Sequence, residues 1–279
     1  MITDIKEMIA FIQSQKRSSK KVSLDRFKTI CKIYGSPEMG QKYIHVGGTN
    51  GKGSVVSYLK NILREAGFTV GSYVSPYVIC FNERIQYNGE YISDSDVLEI
   101  GNFIISKYDE LDKLEIAHPT FFEFVTLMAF LYFQKVKPDY CIIEVGIGGL
   151  LDCTNIITPI LSVISNVAYD HMNILGDTLE EIALNKLGIV KEGKALVTLE
   201  NSELNSLFES YTKEKNAKLI LVKKDNIKDI SIMFNRLYFT YHDFDIESNM
   251  VGVYQAENIS VAISAILEFK EREKVNITK

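Results

Sequence analysis

The stretch YIHVGGTNGKGSVVSYLKNIL, residues 43–63, gathers residue types that can hold a triphosphate. Gly47, Gly48, Gly51 and Gly53 let the backbone turn its N–H groups inward and approach a ligand without Cβ obstruction, which makes an anion nest. Lys52 can neutralise phosphate oxygens, a helix opening near it adds the partial positive charge of its N-terminus, and Ser54 offers a hydroxyl to a magnesium ion. The familiar phosphate loop has Ser or Thr directly after Gly-Lys, whereas here Gly53 intervenes and moves the hydroxyl one residue along. Glycines that only permit a tight strand-to-helix turn account for one or two of the four, and hardly for four beside a lysine. Phosphate binding is the preferred reading.

Such a loop must be set between a strand and a helix, and the sequence supplies both. The apolar run 43–46 precedes the glycines, and helical periodicity follows over about 52–66. Further extended runs stand at 69–74, in DYCIIEVG, which ends in the carboxylate of Glu144, and in ILSVIS, KALVTL and KLILVKK. Helical patterns alternate with them at about 94–111, 121–134 and 255–270. Another, TLEEIALNKLGIVKEG, has Thr178 and Glu181 at capping-box spacing and is expected to stop at Gly193. This alternation predicts an α/β fold: a doubly wound, mostly parallel sheet with flanking helices, of the P-loop type, whose ligands sit at the carboxyl ends of the strands. Residues 230–249 show partial period-two alternation and are expected to add a few antiparallel strands at an edge. With no repeat, low-complexity tract or linker, residues 1–279 read as one domain.

Composition narrows the function. The 279 residues are 46% hydrophobic and carry a net charge of -5, which argues against general affinity for nucleic acid or membrane surfaces. The basic run Lys16-Arg17-Ser18-Ser19-Lys20-Lys21 reads as a solvated loop. Cys31, Cys80, Cys141 and Cys153 lack zinc-site or disulfide-framework spacing and fit reduced thiols in a cytosol. The first residues, with Asp4 and Glu7, suit an amphipathic helix and not a signal peptide, and no apolar run reaches membrane-spanning length. A cytoplasmic monomer is expected.

The loop HVGGTNGKGSV resembles the signature of folylpolyglutamate synthases and dihydrofolate synthases, members of the wider Mur ligase family, in which the extra glycine is the family's own variant. The resemblance continues in order through SPYVICFNERI (75–85), TFFEFVTLMAF (120–130), EVGIGGLLDCTN (144–155), DHMNILGDTLEEIALNKLGIVKEG (170–193) and GVYQAENISVAISAI (252–266). It implies a Mur-ligase-type ATP-binding domain over 1–279 and an ATP-dependent ligase. A folate-type carboxylate attacks the γ-phosphate to give an acyl phosphate, and the amine of L-glutamate displaces phosphate to form an amide. The family's smaller C-terminal domain, which helps bind the amino acid, is expected to be missing, so ligation by this chain alone should be impaired.

By that resemblance Gly48, Thr49, Asn50, Gly51, Lys52, Gly53 and Ser54 would cradle ATP, with Gln255 and Asn258 on the adenine. Ser54 and Glu144 would hold one magnesium ion, and His171 would help hold a second. Lys186 would be carbamylated, turning an ammonium that makes no sense beside a cation into an anionic oxygen ligand. Lys52, Glu144, His171 and Lys186 are therefore the catalytic candidates. Phe122 and Asp152 would take the pterin, with Cys153 expected beside it and Arg84, Thr120 and Glu123 in the same cleft. Taken singly, Glu144 reads as a strand-end acid, His171 as a capping or surface histidine and Lys186 as a surface charge, while Gln255 fits a helix cap and Phe122 the core about as well as they fit the ligand.

Three positions depart from the family pattern. Leu150 stands where an arginine is usual, Cys153 where alanine is, and Asn185 where glutamate is. Losing a buried, charge-assisted arginine contact would weaken an anionic substrate by about 1 to 3 kcal/mol. Rival readings remain. Asn-Lys-x-Gly at 185–188 lacks the aspartate that reads guanine, which removes most support for a GTPase. A small-molecule kinase would share the loop and magnesium but not the other blocks, and a catalytically degenerate ATP-binding homologue or fragment stays open.

Overall fold

A computed structural model describes residues 1–16 and 24–278. Apart from Lys16, the basic run lies outside the described residues. The chain opens with α1 (Ile5–Ser14), whose N-cap Asp4 accepts from the Glu7 amide, and α2 (Leu24–Ile33). Next come β1 (Tyr43–Gly47), α3 (Lys52–Glu65), β2 (Val70–Tyr73) and the short strands β3 (Ile85–Tyr87) and β4 (Glu90–Tyr91). Helices α4 (Asp94–Ser106), α5 (Tyr108–Lys113) and α6 (Phe121–Val136) lead to β5 (Tyr140–Glu144) and β6 (Leu161–Ile164). After them run α7 (Met172–Leu175), α8 (Leu179–Leu187), β7 (Ala195–Leu199), α9 (Asn205–Glu214) and β8 (Lys218–Val222). Strands β9 (Ile227–Met233), β10 (Arg236–Tyr241) and β11 (Phe244–Ser248) precede the long α10 (Val253–Glu273).

The main sheet has the order β4-β3-β2-β5-β1-β6-β7-β8, parallel from β2 to β8 and antiparallel at the β3 and β4 edge. Strand β1 pairs with both β5 and β6. Because α3 carries the chain one way from β1 and β6 lies on the other side, the sheet reverses direction there, and a crevice opens at the carboxyl ends of β5, β1 and β6. Alternation along β5 builds both faces: Cys141 and Ile143 join the cluster of Phe27, Phe124 and Phe130, whereas Tyr140 and Ile142 join that of Val55, Leu59, Val261 and Phe269. A third cluster packs Ile182, Leu187 and Phe208 beside β6 and β7.

Three expectations need correction. Strands do form in 230–249, but they make a sheet of their own in the order β11-β10-β9, and the antiparallel edge comes from residues 85–91. The small sheet buries Leu237, Phe239 and Tyr241 in the cluster shared with α10, where Tyr241 Oη lies 2.8 Å from Ser264 Oγ. Helix α8 ends at Leu187, not at Gly193. The Leu150 N–H donates to the carbonyl of Asn185 at 2.7 Å, the oxygen that a continuing helix would offer to Ile189. Lys107 likewise separates α4 from α5 within the single run expected over 94–111.

Candidate functional site

The glycine loop joins β1 to α3 and is clamped by the segment after β6. Gly48 has φ +138°, and a Cβ there would fall 2.0 Å from Ser165 Oγ; Gly51 has φ +80°, and its Cβ would fall 2.2 Å from Asn258 Oδ1. Thr49 spends its amide on the Asn166 carbonyl and its hydroxyl on both backbone groups of Ala168, while the Asn50 amide donates to Asn166 Oδ1 at 2.9 Å. Thr49 and Asn50 thus anchor the loop. Ser165 and Asn166 do the clamping and went unnoticed in the sequence, where their only signal is that Ser165 ends the ILSVIS run and Asn166 follows it. The first-turn amides of α3 have no intrahelical acceptors and are available to an anion. Lys52 Nζ folds back to donate to the Gly48 and Thr49 carbonyls, each at 3.1 Å.

Glu144, paired in register with Val46, closes β5 beside this loop. Its Oε2 accepts the Ser75 amide at 3.1 Å and would lie 3.9 Å from a Cβ on Gly53. Burial pushes its carboxyl up to about 7, against the pull of the Ser75 N–H and of the Lys52 and Arg84 charges. Ser75 is a third residue of the site that sequence reading passed over, although it opens the block quoted at 75–85. Ser54, in the first turn of α3, accepts a long 3.4 Å bond from Gln255 Nε2.

From α8, the buried Lys186 reaches under the same loop, and its Nζ donates to the Gly48 carbonyl at 3.0 Å. Burial, and then the nearby Lys52 charge, push this ammonium down to about 8, with Asp170 pulling the other way. Two ammonium groups therefore converge on one carbonyl oxygen. His171 is not gathered in: it is the N-cap residue of α7 at φ +47°, half exposed, with Nε2 3.6 Å from Asp170 Oδ2. Among the described residues, no three His, Cys, Asp or Glu side chains form a group able to hold a metal ion.

Gln255 and Asn258, one turn apart on α10, are buried and bonded to each other, Asn258 Nδ2 to Gln255 Oε1 at 3.0 Å. Tyr58 Oη also donates to Gln255 Oε1, at 3.3 Å. Together with the contact of Asn258 against Gly51, these bonds fasten α10 onto the loop and the start of α3.

A second group of expected site residues meets at Gly146, just past β5, facing the start of α6. A Cβ on Gly146 would sit 2.5 Å from Phe122 Cζ and 2.9 Å from Asp152 Oδ2, so both expected pterin residues line one spot. The Tyr73 ring lies 6.2 Å from that of Phe122. Asp152 already accepts from the amides of Gly146, Ile147 and Thr154 and from the Thr154 hydroxyl; burial raises its carboxyl and those bonds lower it. Thr154 Oγ1 lies 2.9 Å from Nε2 of the buried His45, another polar group absent from the sequence reading. Thr120 and Glu123 spend their side chains on the capping box of α6, and Glu123 also pairs with Arg26. Cys153 is buried, its thiol 3.1 Å from Thr126 Oγ1. Arg84 lies buried between the rings of Tyr77 and Phe121, at 5.0 and 5.3 Å. Leu150 stands half exposed.

Comparison with known proteins gives three findings. The family model of the Mur ligase middle domain matches residues 46–266. Over 99% of its length the chain is 36% identical to the dihydrofolate synthase/folylpolyglutamate synthase of Bacillus subtilis, and over 98% it is 34% identical to the folylpolyglutamate synthase of Lacticaseibacillus casei. It spans 66% and 65% of those relatives, just under two thirds. A solved structure described as an FPGS-AMPPCP-folate complex superposes with a TM-score of 0.93 at 32% identity, covering 99% of this chain and 69% of that one.

Proposed function

This chain belongs to the Mur ligase family, and from that premise we propose that it is the nucleotide-binding part of an ATP-dependent ligase that joins L-glutamate to the carboxylate of a folate or dihydropteroate. The loop at 47–54 holds the triphosphate, with the first-turn amides of α3 and Lys52 meeting its oxygens. The acceptor lies with its ring system against Phe122 and Asp152 and its carboxylate toward the loop. That carboxylate attacks the γ-phosphorus, ADP leaves, and the glutamate amine displaces phosphate from the acyl phosphate. Such chemistry is accelerated mainly by positioning and by charge placed around the transferring phosphoryl group. The observation that carries the reading is Glu144 Oε2 lying 3.9 Å from where a Gly53 Cβ would stand, which sets a buried acid against a phosphate loop.

The donors present fit magnesium. It favours oxygen ligands and takes one or two carboxylates, with phosphates and water completing the shell, so a lone buried carboxylate and the Ser54 hydroxyl suffice. Bound there, it would neutralise the phosphoryl oxygens. Glu144 and Ser54 are the residues to hold it. Lys186, as a carbamate, would add an oxygen ligand, and its depressed basicity supports that modification because the neutral amine is the form that takes up carbon dioxide. His171 would have to turn inward from its half-exposed position to take part.

The test is ADP formation by the 279-residue chain with ATP, tetrahydrofolate or dihydropteroate, and glutamate. ADP formed only when acceptor and glutamate are both present supports the ligase. Nucleotide binding that no folate-type acceptor alters would favour the alternative of a degenerate ATP-binding homologue. Phosphate moved stably onto a hydroxyl would favour a kinase.

A further inference from the structure

Two cations are buried among the described residues, Lys186 and Arg84, and only one of them has a partner. Lys186 donates to Gly48; no hydrogen bond or ion pair holds the guanidinium of Arg84, which is 6% exposed and whose Nε is buried without an acceptor. The buried acids, by contrast, are engaged: Glu83 accepts three amides, Glu123 pairs with Arg26, and Glu268 pairs with Lys218 and Arg272. An unpaired buried guanidinium is costly, and the natural remedy is an anion that arrives with a ligand.

Its setting defines the approach. The Arg84 carbonyl accepts the Val74 amide at 2.9 Å, which fixes the residue at the carboxyl end of β2. The rings of Tyr77 and Phe121 lie over the guanidinium, so its in-plane N–H groups are the part left to bond. Neighbouring Phe121 is Phe122, the expected ring contact, and the charge of Arg84 is felt at Glu144, beside the phosphate loop. Glu144 is no ion-pair partner, since it forms no salt bridge and turns Oε2 to Ser75. Arg84 therefore stands where the two halves of the crevice meet.

We infer that Arg84 binds the reacting carboxylate of the acceptor through its in-plane N–H groups, between Phe122 at the start of α6 and the phosphate loop. The inference rests on the proposed function and names the contact that function lacks. A carboxylate matches the guanidinium fork, and the flanking rings fix the plane in which it is presented. A phosphate oxygen has related chemistry, so the experiment must tell the two apart.

Affinities would be measured for pteroate, for its carboxamide and for magnesium–AMPPNP, in the wild type, Arg84→Met and Arg84→Lys. Expected for Arg84→Met is a loss of about tenfold to a hundredfold in pteroate affinity, with the carboxamide and nucleotide each within about twofold of wild type. Arg84→Lys should recover part of the loss. Unchanged nucleotide affinity also certifies that the variants fold. Equal losses for pteroate and carboxamide, no loss for either, or a loss confined to the nucleotide would each overturn the assignment while leaving the ligase reading standing. A wild type that binds nucleotide but neither pteroate nor its carboxamide would sink both.

Discussion

Lys186 Nζ and the carbonyl oxygen of Gly48 lie 3.0 Å apart, so α8 is tied to the floor of the phosphate loop through a single buried ammonium. Burial and Lys52 hold that ammonium down at about 8. Only the neutral amine takes up carbon dioxide, so carbamylation should rise as pH rises through about 8 and fade below it. Carbon-13 bicarbonate labelling followed by NMR would read this, with Lys186→Arg as the blank. No carbamate signal at pH 8.5 in saturating bicarbonate would rule the modification out.

Glu144 titrates from about 7 in the fold, against 4.5 as its ordinary value. Because the folded value is the higher, the unfolded chain releases its proton first. Rising pH between about 4.5 and 7 therefore costs stability, on the order of 3 kcal/mol in all for the metal-free protein. Glu144→Gln should be the more stable protein above pH 7 by urea denaturation, and should lose that advantage near pH 4.5. Cation binding requires the ionised form, so magnesium affinity in the wild type should fall about tenfold per pH unit below 7. A flat titration would count against Glu144 as a ligand.

Gly51→Ala tests the loop. The new methyl would press 2.2 Å from Asn258 Oδ1 at φ +80°, and should cost about 2 to 4 kcal/mol, with nucleotide affinity down by more than tenfold. Gly67→Ala is the control: φ is +91°, but nothing lies within 4 Å, so only about 1 kcal/mol of backbone strain is expected and nucleotide binding should hold. Equal effects on calorimetric Tm and on nucleotide affinity at the two positions would show that crowding against α10 is unimportant.

Leu150 is 47% exposed, and its side chain lies against Gly188. Leu150→Arg, which places there the arginine expected from the resemblance, should fold normally and tighten an anionic acceptor by up to about tenfold, less than a buried contact would give because water screens an exposed charge. Titration of pteroate at two salt concentrations would check this. A gain insensitive to salt would mean that the change acts through packing instead.

Much of the fold was legible because its signals are local. Apolar strands closed by Glu144 and by ILSVIS, together with the Thr178 and Glu181 capping spacing, give strand, helix and loop from neighbours alone. The end of α8 was not legible, because an amide from Leu150, thirty-five residues earlier, takes the Asn185 carbonyl. Nor was the separation of the small sheet, since its burial depends on α10 lying over Leu237, Phe239 and Tyr241.

The site divides along the same line. Residue types along the chain already supply the groups: four glycines beside Lys52, an acid at the end of a buried strand, a lysine in α8, an amide pair opening α10. Packing sets what those groups are doing. It gave Thr49 and Asn50 to the 165–168 clamp, left His171 half in solvent, turned Asp152 onto its own loop, and buried Arg84 without a partner. The physical reason is that a residue's type fixes its charge and donors, whereas the cost of leaving them unpaired is set by burial, and burial is a property of the packed chain.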